Sequence, residues 1–254
     1  MAARDPTERF SDRVDDYVRH RPSYPVAMLY WLQHEHGVRS DWRVADVGAG
    51  TGISSRIFLD AGHKVVAVEP NAPMRAVAEA AFSKESRFRA VSGSAEHTGL
   101  ADASIDLVSA AQAFHWFDPI ATRGEWSRIL RSHGLAAVYW NTRRLVGTPF
   151  LVGYEKLLHE YGTDYVSVAE RYASDAKMIA WFGTGFRGAA KFEQAQRLDF
   201  DALVGRTLSS SYVPRAGHPR HEPLLSALRE LFDATQIGGQ VGFDYDTRIF
   251  VGAL

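Results

Sequence analysis

The sequence contains no cysteine, which excludes disulfides, thiolate nucleophiles and cysteine-held zinc. It also lacks a polybasic run: 29 lysines and arginines stand against 30 acids, a net charge of −1. The electrostatic footprint of a nucleic-acid binder is therefore missing. No apolar stretch reaches the length needed to span a bilayer, and the opening residues Met1 to Arg9 are charged, without an apolar signal core. Internal repeats and low-complexity tracts are absent as well. Together these absences lead us to expect a cytoplasmic chain with a small-molecule partner, no nucleic acid and no membrane, acting as a monomer or homodimer. What is present is 254 residues at 46% hydrophobic, enough to bury a full core in one unit.

The first half alternates short apolar runs with helical periodicity, the pattern of βαβ units around a parallel sheet. Strands are predicted at 43–47, 64–69, 87–91, 105–109 and 135–141, and helices at 25–36, 53–61, 72–82 and 119–131. Right-handed crossovers place all strand ends on one side, where a ligand belongs. After Asn141 the alternation breaks. The runs 151–159 and 166–181 read as helices without an intervening strand, a cap over the ligand crevice. Sheet-like sequence returns at 191–200, followed by helices near 201–210 and 222–234 and a closing strand at 241–251. In that last run Val241, Phe243, Tyr245, Thr247, Ile249 and Val251 share one face.

The most informative stretch runs from Asp46 to Gly52, where a strand pours into a turn with glycine at every second position. Three glycines allow positive φ and close approach of a ligand, and the helix that follows offers unpaired N–H groups. The dinucleotide fingerprint would need a glycine at 53, where Ile53 stands; Gly48, Gly50 and Gly52 after an acid favour S-adenosylmethionine over NAD. The second strand ends at Glu69, roughly 20 residues past the first glycine, where such folds place an acid for ribose hydroxyls.

Asp46 to Gly52, Val65 to Glu69 and Ile105 to Asp118 resemble motifs of the class I S-adenosylmethionine-dependent methyltransferases. Tyr17 to Pro25 and the run Phe114-His115-Trp116-Phe117 are similar to the small-molecule branch (methyltransferase type 11) that includes trans-aconitate methyltransferase. The resemblance implies an α/β Rossmann-like fold: a mostly parallel seven-stranded sheet with an antiparallel last strand and a helical cap inserted after strand five. On this basis we expect one domain over 1–254, with an N-terminal lid segment 1–40, a cofactor-binding core 41–141, a cap at about 145–188 and a return to the sheet at 189–254. The activity implied is transfer of a methyl group from S-adenosyl-L-methionine to a nitrogen or oxygen of a small planar metabolite, leaving S-adenosyl-L-homocysteine. No metal is implied. A non-catalytic binder of the same cofactor and an NAD-linked oxidoreductase are the competing readings.

The resemblance assigns Asp46 to the glycine turn and the cofactor's amino group, Glu69 and Pro70 to the ribose, and Tyr17 with Arg21 to the cofactor's carboxylate. Asp46 sits in an apolar strand, where a carboxylate is costly unless it is hydrogen-bonded. Met74 either lies against the adenine or fills the core. Ser94 stands where relatives carry an aspartate for the adenine amino group, with Ala95 and Glu96 beside it. Ala111 and Gln112 offer main-chain contacts next to the methionine portion. His115 is either a general base or a packing residue, and Trp116 either a substrate wall or core. Tyr24, Trp140, Arg143, Trp181 and Tyr212 are expected around the acceptor, the rings for stacking and the arginine for an acidic group.

Overall fold

The computed structural model describes residues 20–166 and 174–254. Seven strands form one sheet in the order β3-β2-β1-β4-β5-β7-β6. They are β1 Arg43–Val47, β2 Lys64–Val68, β3 Phe88–Val91, β4 Ile105–Ala111, β5 Leu130–Arg143, β6 Phe186–Leu198 and β7 Val241–Gly252. Neighbours from β3 to β5 pair in parallel, whereas β7 runs antiparallel to both β5 and β6. This is the mostly parallel sheet with an antiparallel last strand that the resemblance implies.

The helices are α1 Val26–His36, α2 Ile53–Asp60, α3 Ala72–Ala81, α4 Pro119–Ile129, α5 Pro149–Tyr161, α6 Asp175–Phe182, α7 Phe200–Leu208 and α8 His221–Thr235. Side chains that alternate along the central strands feed two cores. Val44, Leu107, Ala137 and Tyr139 pack toward Met28, Leu32 and Phe58 on one face, and Ala45, Val108, Val138 and Trp140 pack toward Trp126 and Phe182 on the other. A third core joins α5, α7 and α8 to Phe243 and Tyr245 of β7. The face predicted for β7 is buried along its whole length.

Three of the boundaries that differ from the sequence reading do so because tertiary pairing overrides local periodicity. Helix α4 stops at Ile129 instead of 131, since Leu130 pairs with Ile105 of β4. Strand β5 therefore begins five residues before the predicted 135, with a register shift opposite Ile105 to Leu107. Strand β6 starts at Phe186 instead of 191 because it pairs with β7 over its full length. The second predicted cap helix, 166–181, is described only as α6, and residues 167–173 lie outside the described residues.

Asp118 starts α4 by accepting from the N–H groups of Ile120 and Ala121, both at 2.9 Å, with Pro119 in the first helical position. Asp118→Ala is expected to cost about 1 kcal/mol and to lower the thermal midpoint by about 2–4 °C, measurable by circular dichroism.

Candidate active site

The glycine turn and the carboxyl end of β2 frame the site. Gly48, Gly50 and Gly52 have φ of 69°, 57° and 86°, all left-handed. A Cβ at Gly48 would stand 2.6 Å from Ala113 Cβ and 3.1 Å from Phe117 Cζ, and one at Gly52 would stand 2.6 Å from Phe82 Cε2. Conformation and contact both forbid a side chain at these two positions. At Gly50 the nearest atom is Met74 Cε at 3.4 Å, which leaves its Cα face bare for a ligand to approach.

Glu69 is buried and tied down at both oxygens. Oε2 accepts from Gly50 N–H and Oε1 from Asn71 N–H, each at 2.8 Å. Burial pushes its carboxyl above the ordinary range, and these two bonds oppose the shift. Each oxygen keeps a further lone pair for a ligand hydroxyl. Asn71 in turn caps α3, its Oδ1 accepting from Met74 N–H at 3.0 Å.

A cavity of about 170 Å³ lies over this frame, lined by Gly48, Gly50, Glu69, Pro70, Met74, Ser94, Ala95, Glu96, Ala111, Gln112 and Trp116, together with Asn71, Ala113 and Phe117. A smaller one of about 40 Å³ shares Gly48, Gly50, Ala111 and Gln112 with it, and reaches Arg21, Tyr24, Asn141, Arg206 and Tyr245. Gln112, on the wall common to both, is held at φ 56°, its side chain donating to Asn141 O at 2.9 Å. For a non-glycine residue such a conformation costs roughly 1–3 kcal/mol and concentrates at ligand sites.

Other predicted residues sit elsewhere. Tyr17 lies outside the described residues. Asp46 lines neither cavity; it is fully buried one layer below, its Oδ2 accepting from Ser54 Oγ at 2.6 Å and Ser55 Oγ at 2.7 Å. Gly52 shapes the turn from behind. His115, expected next to the acceptor, belongs to a 3₁₀ turn in which successive side chains diverge, so Trp116 faces the larger cavity while His115 faces a wide surface hollow with Pro119, Arg123 and Trp181. Its Nδ1 accepts from Trp140 Nε1–H at 3.4 Å.

Four residues expected around the acceptor line neither of these two cavities. Trp140 points to the other face of the sheet and is buried against Phe114 and Phe250. Trp181 donates from Nε1 to Pro119 O at 2.8 Å and packs on Phe114 and Trp126. Arg143 is spent on an ion pair with Glu155 and a bond to Tyr165 Oη, and the neighbouring Arg144 pairs with Asp246 and Glu193. Tyr212 packs on Tyr165 at 5.0 Å between ring centroids. Of the ring residues proposed for the acceptor, Tyr24 reaches the smaller cavity.

Sequence reasoning missed Asn71, Asn141, Arg206 and Tyr245. Asn71-Ala72-Pro73 carries a readable helix-cap signal, and Asn141 stands at the end of a strand. Arg206 and Tyr245 carry no local signal, because α7 and β7 reach the site only through the insertion of β7 between β5 and β6.

Residues 45–138 match the family described as "Methyltransferase domain". A protein of Schizosaccharomyces pombe described as an uncharacterized methyltransferase-like protein is 32% identical, covering 98% of this chain and 97% of its own. An uncharacterized methyltransferase of Mycobacterium tuberculosis is 40% identical, the match spanning 55% of each chain, so this chain spans about half the length of that relative. Among solved structures, a protein of Anaeromyxobacter dehalogenans provisionally described as a type II methyltransferase superposes with a TM-score of 0.69 at 24% identity, covering 92% of this chain and 97% of that one.

Proposed function

This chain belongs to the class I S-adenosylmethionine-dependent methyltransferases, and from that premise we propose that the two adjoining cavities over its glycine turn seat the methyl donor for transfer to a small planar acceptor, an N-heterocycle or a carboxylic acid. The observation that carries the donor seat is Glu69: a buried carboxylate, fixed by two backbone N–H groups, at the rim of a glycine turn with one bare face. Its spare lone pairs suit two ribose hydroxyls. Met74 and Trp116 supply apolar walls for a purine, and the fork of donors on Arg21 suits an amino-acid carboxylate. When bound, S-adenosylmethionine supplies a methyl group activated by its positive sulfur, for in-line transfer to a nitrogen or oxygen.

The chain's contribution is alignment and exclusion of water, worth roughly 7–11 kcal/mol when geometry is well held. Among the described residues lining the smaller cavity there is neither a histidine nor a carboxylate. That lining suits an acceptor already nucleophilic at neutral pH, a carboxylate or a low-pKa ring nitrogen, which needs no base.

Calorimetry with S-adenosylmethionine and S-adenosylhomocysteine, followed by transfer of a labelled methyl group to panels of N-heterocycles and carboxylic acids, tests this reading. Binding and turnover on either panel are expected; activity confined to protein or RNA overturns it. His115→Ala is expected to change turnover and cofactor affinity by less than about threefold, as for a residue outside the reacting centre. A hundredfold loss of turnover at unchanged cofactor affinity would restore His115 as a base.

A further inference from the structure

The wide hollow that His115 faces lies apart from the donor seat. It opens between α4 and α6 with a volume of about 1010 Å³, and Phe117 is the one described residue that lines both it and the larger donor cavity. Phe114, Phe117, Met178 and Trp181 supply its apolar walls. Two bonds pin the walls to each other: Trp181 Nε1 donates to Pro119 O and Arg123 Nη1 donates to Trp181 O, both at 2.8 Å. The hollow is therefore preformed. Ile120, which also lines it, is 85% exposed.

Its floor is bare for a reason that lies outside the chain's own packing. Glycine within a helix is destabilising relative to alanine, yet three of the described helices carry one: Gly124 in α4, Gly153 in α5 and Gly205 in α7. Close neighbours dictate the last two, since a Cβ would stand 2.3 Å from Leu231 Cδ1 at Gly153 and 2.3 Å from the His20 ring at Gly205. A Cβ at Gly124 would meet nothing within 4 Å. Gly124 lines the hollow, so its missing side chain leaves a strip of bare helix on which a ligand can lie.

Charge selects the head group of that ligand. Arg123 stands on the α4 wall and Lys177 on the α6 wall, and among the described lining residues there is no carboxylate. The acids close by in sequence are occupied: Asp118 caps α4, Asp175 pairs with Arg248, and Glu125 pairs with Arg128. One of the five donors of Arg123 is used by Trp181 O, and its guanidinium carbon lies 5.9 Å from the Trp181 ring centroid. An anion entering between the walls meets one cation on each, beside apolar rings.

We propose that this hollow is a second ligand site, independent of the methyl-donor reading, for an amphiphilic carboxylate. An acyl or arylalkyl body lies on the Gly124 floor against Phe114, Met178 and Trp181, and its carboxylate sits between Arg123 and Lys177. The volume, at the upper end of the small-ligand range, admits a body longer than a single ring.

The test titrates the full chain with 8-anilinonaphthalene-1-sulfonate, an anionic aryl probe whose fluorescence rises when it leaves water, and then displaces it. One equivalent is expected to bind and to stay bound when S-adenosylhomocysteine is added. Decanoate is expected to displace it at a concentration at least about tenfold below that of decyltrimethylammonium. Gly124→Leu is expected to weaken probe and decanoate by at least about tenfold with the fold retained, because leucine is the better helix former. Lys177→Gln is expected to weaken decanoate about three- to tenfold and to leave decanol unchanged. No fluorescence rise with the unmodified protein, equal displacement by the cationic amphiphile, or loss of the probe to S-adenosylhomocysteine overturns the proposal, the last by placing the probe in the donor seat. These arms stand even if a variant fails to fold. Full probe affinity in folded Gly124→Leu also overturns it, as does undiminished decanoate affinity in Lys177→Gln.

Discussion

Glu69→Ala is expected to lower affinity for S-adenosylhomocysteine by about 2–4 kcal/mol, roughly 30- to 1000-fold, with the fold retained. The size follows from what one side chain does. Its Oε2 holds Gly50 N–H and its Oε1 holds Asn71 N–H, so the carboxylate ties the middle of the glycine turn to the start of α3. Removing it leaves two N–H groups to find water, at about 1–3 kcal/mol for each buried donor left unpaired, and takes away the acceptor for the ligand's hydroxyls. Glu69→Gln separates the two losses. The amide oxygen can still accept one N–H, but its NH₂ faces the other donor, so the turn is half restored. Calorimetric affinity for the glutamine variant is expected between the other two. Wild-type affinity in both variants would remove Glu69 from the site.

The same residue shows why part of this site is readable from sequence. Asp46, the three glycines and Glu69 lie within one βαβ unit, where spacing along the chain dictates spacing in the fold. Ser94 and Ala111 follow as ends of the next parallel strands, since every strand of the unit delivers its carboxyl end to one edge. Legibility fails where contacts come from far along the chain. Tyr245 reaches the cavity only because β7 pairs antiparallel with β5, bringing it opposite Arg143, and Arg206 only because α7 packs on that strand. Aromatic content near the break in the pattern made Trp140 and Trp181 look like an acceptor wall, yet period-two alternation on β5 sends Trp140 to the face opposite Tyr139. Arg143, at the end of β5, reads in sequence as available to an acidic group because its partner Glu155 lies on another element, α5.

Asp46 gives the second large effect, on stability. It is fully buried, and desolvation pushes its carboxyl up from 3.8 to about 6, against the lowering effect of bonds from Ser54, Ser55 and Ser109. The sign follows from linkage. Between 3.8 and about 6 the folded chain holds a proton that the unfolded chain has released, so stability falls as pH rises through this window, and the full penalty is present above it. The difference corresponds to roughly 3 kcal/mol. Asparagine is the neutral isostere: its oxygen can take the place of Oδ2 and accept from Ser54 and Ser55, and its NH₂ then faces Ser109 Oγ, which is free to donate to Tyr139 Oη, now 2.9 Å away. Asp46→Asn is therefore expected to be more stable than the parent by about 2–3 kcal/mol at pH 8, with the gap closing as pH falls through 6 and nearly gone at pH 4. Urea unfolding of both proteins at pH 4, 6 and 8 measures it. A gap independent of pH would mean that Asp46 is not the titrating group, and a gap that widens in acid would reverse the sign of its linkage. On the proposed reading, an ionised Asp46 beneath the glycine turn favours the positive sulfonium of the donor. Accordingly the asparagine variant is expected to bind S-adenosylmethionine less tightly than the parent at pH 8, where the parent is ionised, and equally well at pH 5, where both are neutral.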